Sequence, residues 1–173
     1  MNTTLRRLKA GFTLTELMAV VIIVGILAAV ASGSFKKAIE RSHFSEGLVA
    51  ANTVLGAVER YYAESCNEGS CVKRPTMAQL DVSLANQRAC TPASNYCAKT
   101  KYFEITIREA GTVDAVRMKG SKTGDYTIRV FPESFGDYQR TSDACIANTM
   151  PVGKDLCISM GYANCNVSNY CYK

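Results

Sequence analysis

The hydrophobic pattern of this chain changes character once, and abruptly. Phe12 to Ala31 (FTLTELMAVVIIVGILAAVA) is a run of 20 residues with a single charge, Glu16. As a helix it rises about 30 Å, the thickness of a bilayer's hydrocarbon core. Beyond Ser34 the pattern becomes one-sided: Phe44, Leu48, Ala51, Leu55, Val58 and Tyr62 recur at alternating steps of four and three, which is one face of a helix. Lys36, Lys37, Glu40, Arg41, Glu46, Glu59 and Arg60 occupy the remainder, a face expected to be wet. No proline interrupts residues 12–64, so one helix of roughly 80 Å is expected. Its first half suits a membrane and its second half suits the side of a globular head.

Downstream the period changes. Residues 65–100 read as a loop region rich in cysteine, in which Thr76 is placed to cap a short helix through MAQLDVSL. Tyr102–Arg108, Val113–Lys119 and Tyr126–Phe131 read as strands, with Gly111, Gly120 and Gly124 between them as turn residues, predicting an antiparallel meander over 101–132. From 137 to 173 the chain reads as polar and irregular. The fold class is therefore α+β: a long N-terminal helix, transmembrane then amphipathic, packed on a small antiparallel sheet. The expected division is a leader over 1–11, a membrane helix over 12–34 and an extracytoplasmic head over 35–173, the leader boundary resting on the resemblance given below.

Composition sharpens this picture at one point. All eight cysteines follow Glu64: Cys66, Cys71, Cys90, Cys97, Cys145, Cys157, Cys165 and Cys171. None forms a C-x-x-C pair and His43 is the sole histidine, which disfavours zinc and points to disulfides made in an oxidising compartment. Eight cysteines allow roughly a hundred pairings. Local spacing suggests Cys66–Cys71, Cys90–Cys97 and Cys165–Cys171, with Cys145–Cys157 left over. Basic residues before the apolar run and oxidised cysteines after it orient the span with its N-terminus in the cytoplasm.

The formal charge of +5 includes Arg6, Arg7 and Lys9 ahead of the span; without those three it is +2. That is not the charge of a dedicated nucleic-acid binder. Between Lys99 and Arg129, seven basic residues exceed four acidic ones. A DNA-capturing head is a lesser reading, because non-specific binding needs a denser patch. His43 reads as a surface residue on a solvated helix face, and no triad or phosphate loop is visible. No enzyme and no cofactor is expected. Asn166-Val167-Ser168 matches an N-glycosylation acceptor, and Tyr162, Tyr170 and Tyr172 read either as packing around disulfides or as a contact surface.

The stretch Lys9-Ala10-Gly11 followed by FTLTELMAVVIIVGILAAVA resembles the N-terminal signature of type IV pilins and type II secretion pseudopilins. The family pattern is a short basic leader ending in glycine, a phenylalanine, a glutamate five residues in, and an apolar helix. The direct match covers about 20 residues, and the layout of the head is similar to the pilin fold. The resemblance implies that a prepilin peptidase cuts between Gly11 and Phe12 and methylates the new Phe12 amine. An ordinary secretory cut at Ala29-Val30-Ala31 would instead discard Glu16 and the whole anchor.

Glu16 is the costly residue in that segment. A carboxylate within a bilayer helix costs about 3 kcal/mol even on lenient scales, so it needs a partner. The resemblance implies that partner: the Phe12 amine of a neighbouring subunit, with the pairing setting axial register. The bland alternative is a glutamate reaching the membrane edge one turn from the helix start. Gly25 and Gly33 are the helix's weak points, either bending it or allowing close packing. Family members commonly carry proline where this chain has Gly33.

Two related functions follow from the resemblance. The first is a subunit of a surface type IV pilus, a homopolymer with related minor pilins, built by an inner-membrane assembly platform. The alternative is a periplasmic pseudopilin of type II secretion; the disulfides favour the surface fibre. A lone ectodomain that never polymerises is a further reading. On the cut itself, Gly11→Leu is expected to leave a full-length precursor in the membrane and no filaments. Intact mass of the membrane protein reads this directly, and a normally shortened product contradicts the assignment.

Overall fold

The structure, a computed structural model, describes residues 11–65, 74–90, 93–132 and 143–173. Residues 1–10 of the expected leader, Cys66, Cys71 and the start of the C-terminal region lie outside it. The chain divides into two compact units at Ile39/Glu40.

In the first unit, helix α1 (Leu14–Ser65) begins and continues through Gly25 and Gly33 without a break. Every residue from Gly11 to Ile39 is exposed. Neither glycine has any atom near the position a Cβ would take, so within the single chain nothing packs closely on them.

In the second unit, the rest of α1 lies against a seven-stranded sheet. Phe44, Ala51, Leu55, Val58 and Tyr62 of the predicted face are buried, and Leu48 packs at the edge of the core. Gly47, Val54 and Ala57 widen that stripe. Gly47 earns its place through a close approach: a Cβ there would sit 2.6 Å from the Phe103 ring, which is itself fully buried.

The sheet runs β1 (Cys97–Lys99), β2 (Phe103–Ile107), β3 (Val113–Lys119), β4 (Lys122–Val130), β5 (Ala144–Ala147), then β7 (Tyr170–Tyr172) and finally β6 (Asn164–Cys165), all antiparallel. Alternation decides which residues face α1. Phe103, Ile105 and Ile107 of β2 are buried, while Glu104 and Thr106 are half-exposed. Tyr126, Ile128 and Val130 repeat the pattern on β4. The β3–β4 hairpin turns at Gly120-Ser121, and Gly120 takes the left-handed conformation (φ +65°) that a side chain would resist. The β3–β4 register shifts between Val116 and Met118, where three residues of β4, Gly124 to Tyr126, stand opposite Arg117; β3 itself keeps its alternation, so Arg117 shares the buried side with Val113 and Ala115.

Three expectations require correction. Gly124 is a residue of β4 and not a turn; Arg117 crowds it, its carbonyl oxygen lying 3.0 Å from where a Cβ would stand. The helix expected through MAQLDVSL reduces to a single 3-10 turn, Met77–Gln79, with the Gln79 side chain accepting from the Thr76 backbone N–H at 2.8 Å. The C-terminal region is not irregular: it adds β5, helix α2 (Val152–Ser159), β6 and β7 to the sheet. Its strands are two to four residues long and escape period-based reading.

Disulfides join Cys90–Cys97 and Cys165–Cys171, as local spacing suggests, and also Cys145–Cys157, the pair that spacing leaves over. Cys145–Cys157 ties α2 to β5, and Cys165–Cys171 links facing residues of β6 and β7. The start of α2 comes closer still: a Cβ on Gly153 would lie 2.1 Å from the Asp125 carbonyl oxygen. That contact is with backbone and cannot rotate away. Gly153→Ala is therefore expected to cost about 2 kcal/mol or more, seen as a lowered unfolding midpoint. An unchanged midpoint would mean that α2 is free to shift.

Candidate assembly site

The N-terminal end of α1 shows how Glu16 is held. Thr13 is the residue before the helix and Glu16 its third residue. The Thr13 backbone N–H donates to Glu16 Oε2 at 2.8 Å, the Thr13 hydroxyl donates to the same oxygen at 2.8 Å, and the Glu16 N–H donates back to Thr13 Oγ1 at 3.3 Å. This reciprocal pair is a capping box, which satisfies donors that every helix start leaves open. Its signature, Thr-x-x-Glu before an apolar run, stands in the sequence at Thr13-Leu14-Thr15-Glu16. The role of Thr13 was legible there but overshadowed by the charge of Glu16.

Glu16 Oε1 has no hydrogen-bond partner among the described residues. Gly11 and Phe12 precede the helix outside any regular element, with Phe12 80% exposed. Leu14, Leu17, Val21, Ile22, Ile26, Leu27 and Val30 are all more than half exposed. A helix this apolar with nothing on its surface needs lipid or other helices around it. It is long and apolar enough to cross a membrane.

The head carries no comparable site among the described residues. Cys90, Cys97 and Glu104 bring possible ligand atoms within 4.8 Å of one another, but both sulfurs are spent in a disulfide. Five of the seven basic residues in 99–129 stand in ion pairs. Lys99 pairs with Glu104, Arg108 and Arg129 with Asp114, Arg117 with Glu40, and Lys119 with Asp125. This leaves little free charge for the DNA-capturing reading. Tyr162 is fully buried against Phe44, whereas Tyr170 and Tyr172 are half-exposed and stacked. Asn166-Val167-Ser168 forms the exposed turn between β6 and β7.

Comparison with known proteins bears on the N-terminal segment and on the whole chain. The family profile described as the prokaryotic N-terminal methylation motif matches residues 6–32. A fimbrial protein of Neisseria meningitidis is 31% identical over 166 residues, covering 86% of this chain and 89% of that protein. The chain belongs to the type IV pilin family.

Other relatives match over shorter stretches. A type IV major pilin protein of Neisseria gonorrhoeae is 37% identical over 62% of this chain, and the match spans 56% of that protein. The fimbrial protein EcpC of Eikenella corrodens is 43% identical over 35% of this chain and 39% of its own length. No solved structure matches significantly. These names favour a pilus subunit over a secretion pseudopilin.

In this pilin, two positions assigned to the wet face of α1 belong instead to a half-buried cluster. Glu40 and His43 meet Arg117, which stands beside Phe103 of β2 on the same face of β3 as Val113 and Ala115. Arg117 Nε donates to Glu40 Oε2 at 3.1 Å and Nη2 to Glu40 Oε1 at 3.0 Å. Nη1 donates to the carbonyls of Met118 and Tyr102, and Nη2 lies 2.9 Å from His43 Nδ1. His43 is thus no surface residue; its side chain is only 16% exposed and its ring lies 4.1 Å from that of Tyr102. The helix period could not reveal this, because the partner lies on a strand 74 residues away.

Burial alone would raise the Glu40 carboxyl, but the hydrogen bonds and charge of Arg117 outweigh it and hold it below the usual carboxylate range. A lowered folded value means that the stability linked to Glu40 ionisation is present above the ordinary carboxylate range and fades as pH falls through the lowered one. Arg117→Ala is expected to cost about 2 kcal/mol near neutrality, the loss narrowing in strong acid. Unfolding midpoints across pH measure both.

Proposed function

We propose that this pilin is a structural subunit of a type IV pilus, anchored in the inner membrane by α1 before assembly and held in the filament by packed N-terminal helices afterwards. The observation that carries the reading is the exposed apolar helix, begun by a capped glutamate immediately behind the Gly11–Phe12 step. Full-length similarity to a fimbrial protein supports it.

A prepilin peptidase cleaves between Gly11 and Phe12 on the cytoplasmic side and methylates the Phe12 amine, which remains cationic. The new amine then stands one residue before Thr13, within the turn that holds the Glu16 carboxylate. Glu16 Oε2 is engaged by Thr13, and Oε1 is open to receive the Phe12 amine of a neighbouring subunit. In a dry filament core an unpaired charge is heavily penalised, so this pairing selects one axial register. The inner-membrane assembly platform draws subunits from the bilayer, and the disulfide-tied head ends up outside the cell.

Substitution separates the cap from the register. Glu16→Gln preserves an acceptor for the Thr13 N–H but removes the charge. The expected result is a processed, membrane-embedded subunit whose filament yield falls at least tenfold. Wild-type yield from that variant would rule out the ionic pairing. Mass spectrometry of sheared fibres tests the whole assignment, the expected product being a chain that begins at methylated Phe12.

A further inference from the structure

The cluster that fastens α1 to the sheet contains the chain's only histidine, and its geometry dictates how that histidine must be protonated. A guanidinium carries donors and no lone pair, so it can only donate. Arg117 Nη2 at 2.9 Å therefore requires a lone pair on His43 Nδ1, and the ring is neutral with its proton on Nε2. The arginine is saturated in this arrangement. Its fork takes Glu40, Nη1 takes the carbonyls of Met118 and Tyr102, and the last Nη2 proton goes to His43.

We propose that Glu40, His43 and Arg117 form a proton-sensitive latch between α1 and β3, closed while His43 is neutral and loosened when it takes up a proton. A proton added at Nδ1 turns an acceptor into a donor facing the cationic guanidinium. Among the described residues the carboxylate beside it is Glu40, whose Oε1 is 3.6 Å away and is already occupied by Arg117 Nη2 at 3.0 Å. Protonated His43 thus competes with Arg117 for one carboxylate oxygen, and a contact between helix and strand gives way to one within the helix.

The other groups around the ring do not remove this conflict. Tyr102, between β1 and β2, lies against the His43 ring at a 36° tilt and favours a cation there, but its ring already faces Lys101 at 4.9 Å and Arg117 at 5.3 Å. Glu46, further along α1, is exposed and drawn on by Lys101. Tyr126 on β4 is neutral, its phenol pushed up by burial first and then by the charge of Glu40. Within this cluster Glu40 is the one carboxylate touching His43, and it is shared.

The test uses the mature full-length chain in detergent micelles, where a single histidine makes every imidazole signal unambiguous. Nitrogen-15 NMR at about pH 7.5 is expected to show the Nε2–H tautomer, with Nδ1 as acceptor from Arg117; an Nδ1–H tautomer or a protonated ring at that pH overturns the proposal. Between about pH 7.5 and pH 5, the unfolding midpoint should fall roughly 3 °C further in the wild type than in His43→Asn. The asparagine oxygen stands where Nδ1 does and cannot be protonated. Equal falls in the two proteins would also overturn the latch.

Discussion

One helix must satisfy two solvents, and the rest of this molecule follows from that constraint. Up to Ile39, α1 has no protein against it, and as far as Ala31 it presents apolar side chains on all sides. From Glu40 onward, one stripe is buried by the sheet and the rest meets water. A surface of the first kind is tolerated only in lipid or among other helices of its kind. The second kind needs a partner supplied by the same chain. Pilus subunits pass between membrane and fibre, and both settings satisfy the first demand while the head satisfies the second throughout.

Within that arrangement the charged residues divide by task. Glu16 is embedded in the apolar segment and is retained by Thr13, with one oxygen to spare for a cation. Glu40 is the first residue of the second unit, and Arg117 fixes it to the sheet through a two-pronged contact. Asp114, almost fully buried on β3, is held between Arg108 and Arg129. These carboxylates are costly where they stand unless paired, and each is met by a donor of fitted geometry.

The small and crosslinked residues do a different job. Gly47 admits the Phe103 ring and Gly153 admits a carbonyl of β4, so α1 and α2 approach the sheet more closely than any side chain would permit. Disulfides then hold the short C-terminal strands, which are too brief to hold themselves. The head is therefore a sheet finished by covalent links.

The sequence by itself determined the apolar helix, its amphipathic continuation, the strands β2 to β4 and the Thr13–Glu16 motif that begins the helix. All of these are local: a period, a run length or a motif within a few residues. Only the tertiary structure decided the rest. It drew β5, β6 and β7 out of a stretch that reads as irregular, because strands of two to four residues carry too little pattern. It also moved Glu40 and His43 from a wet face into a buried cluster. That change depends on Arg117 of β3, more than 70 residues further along the chain, and nothing near Glu40 and His43 announces which strand will lie against them.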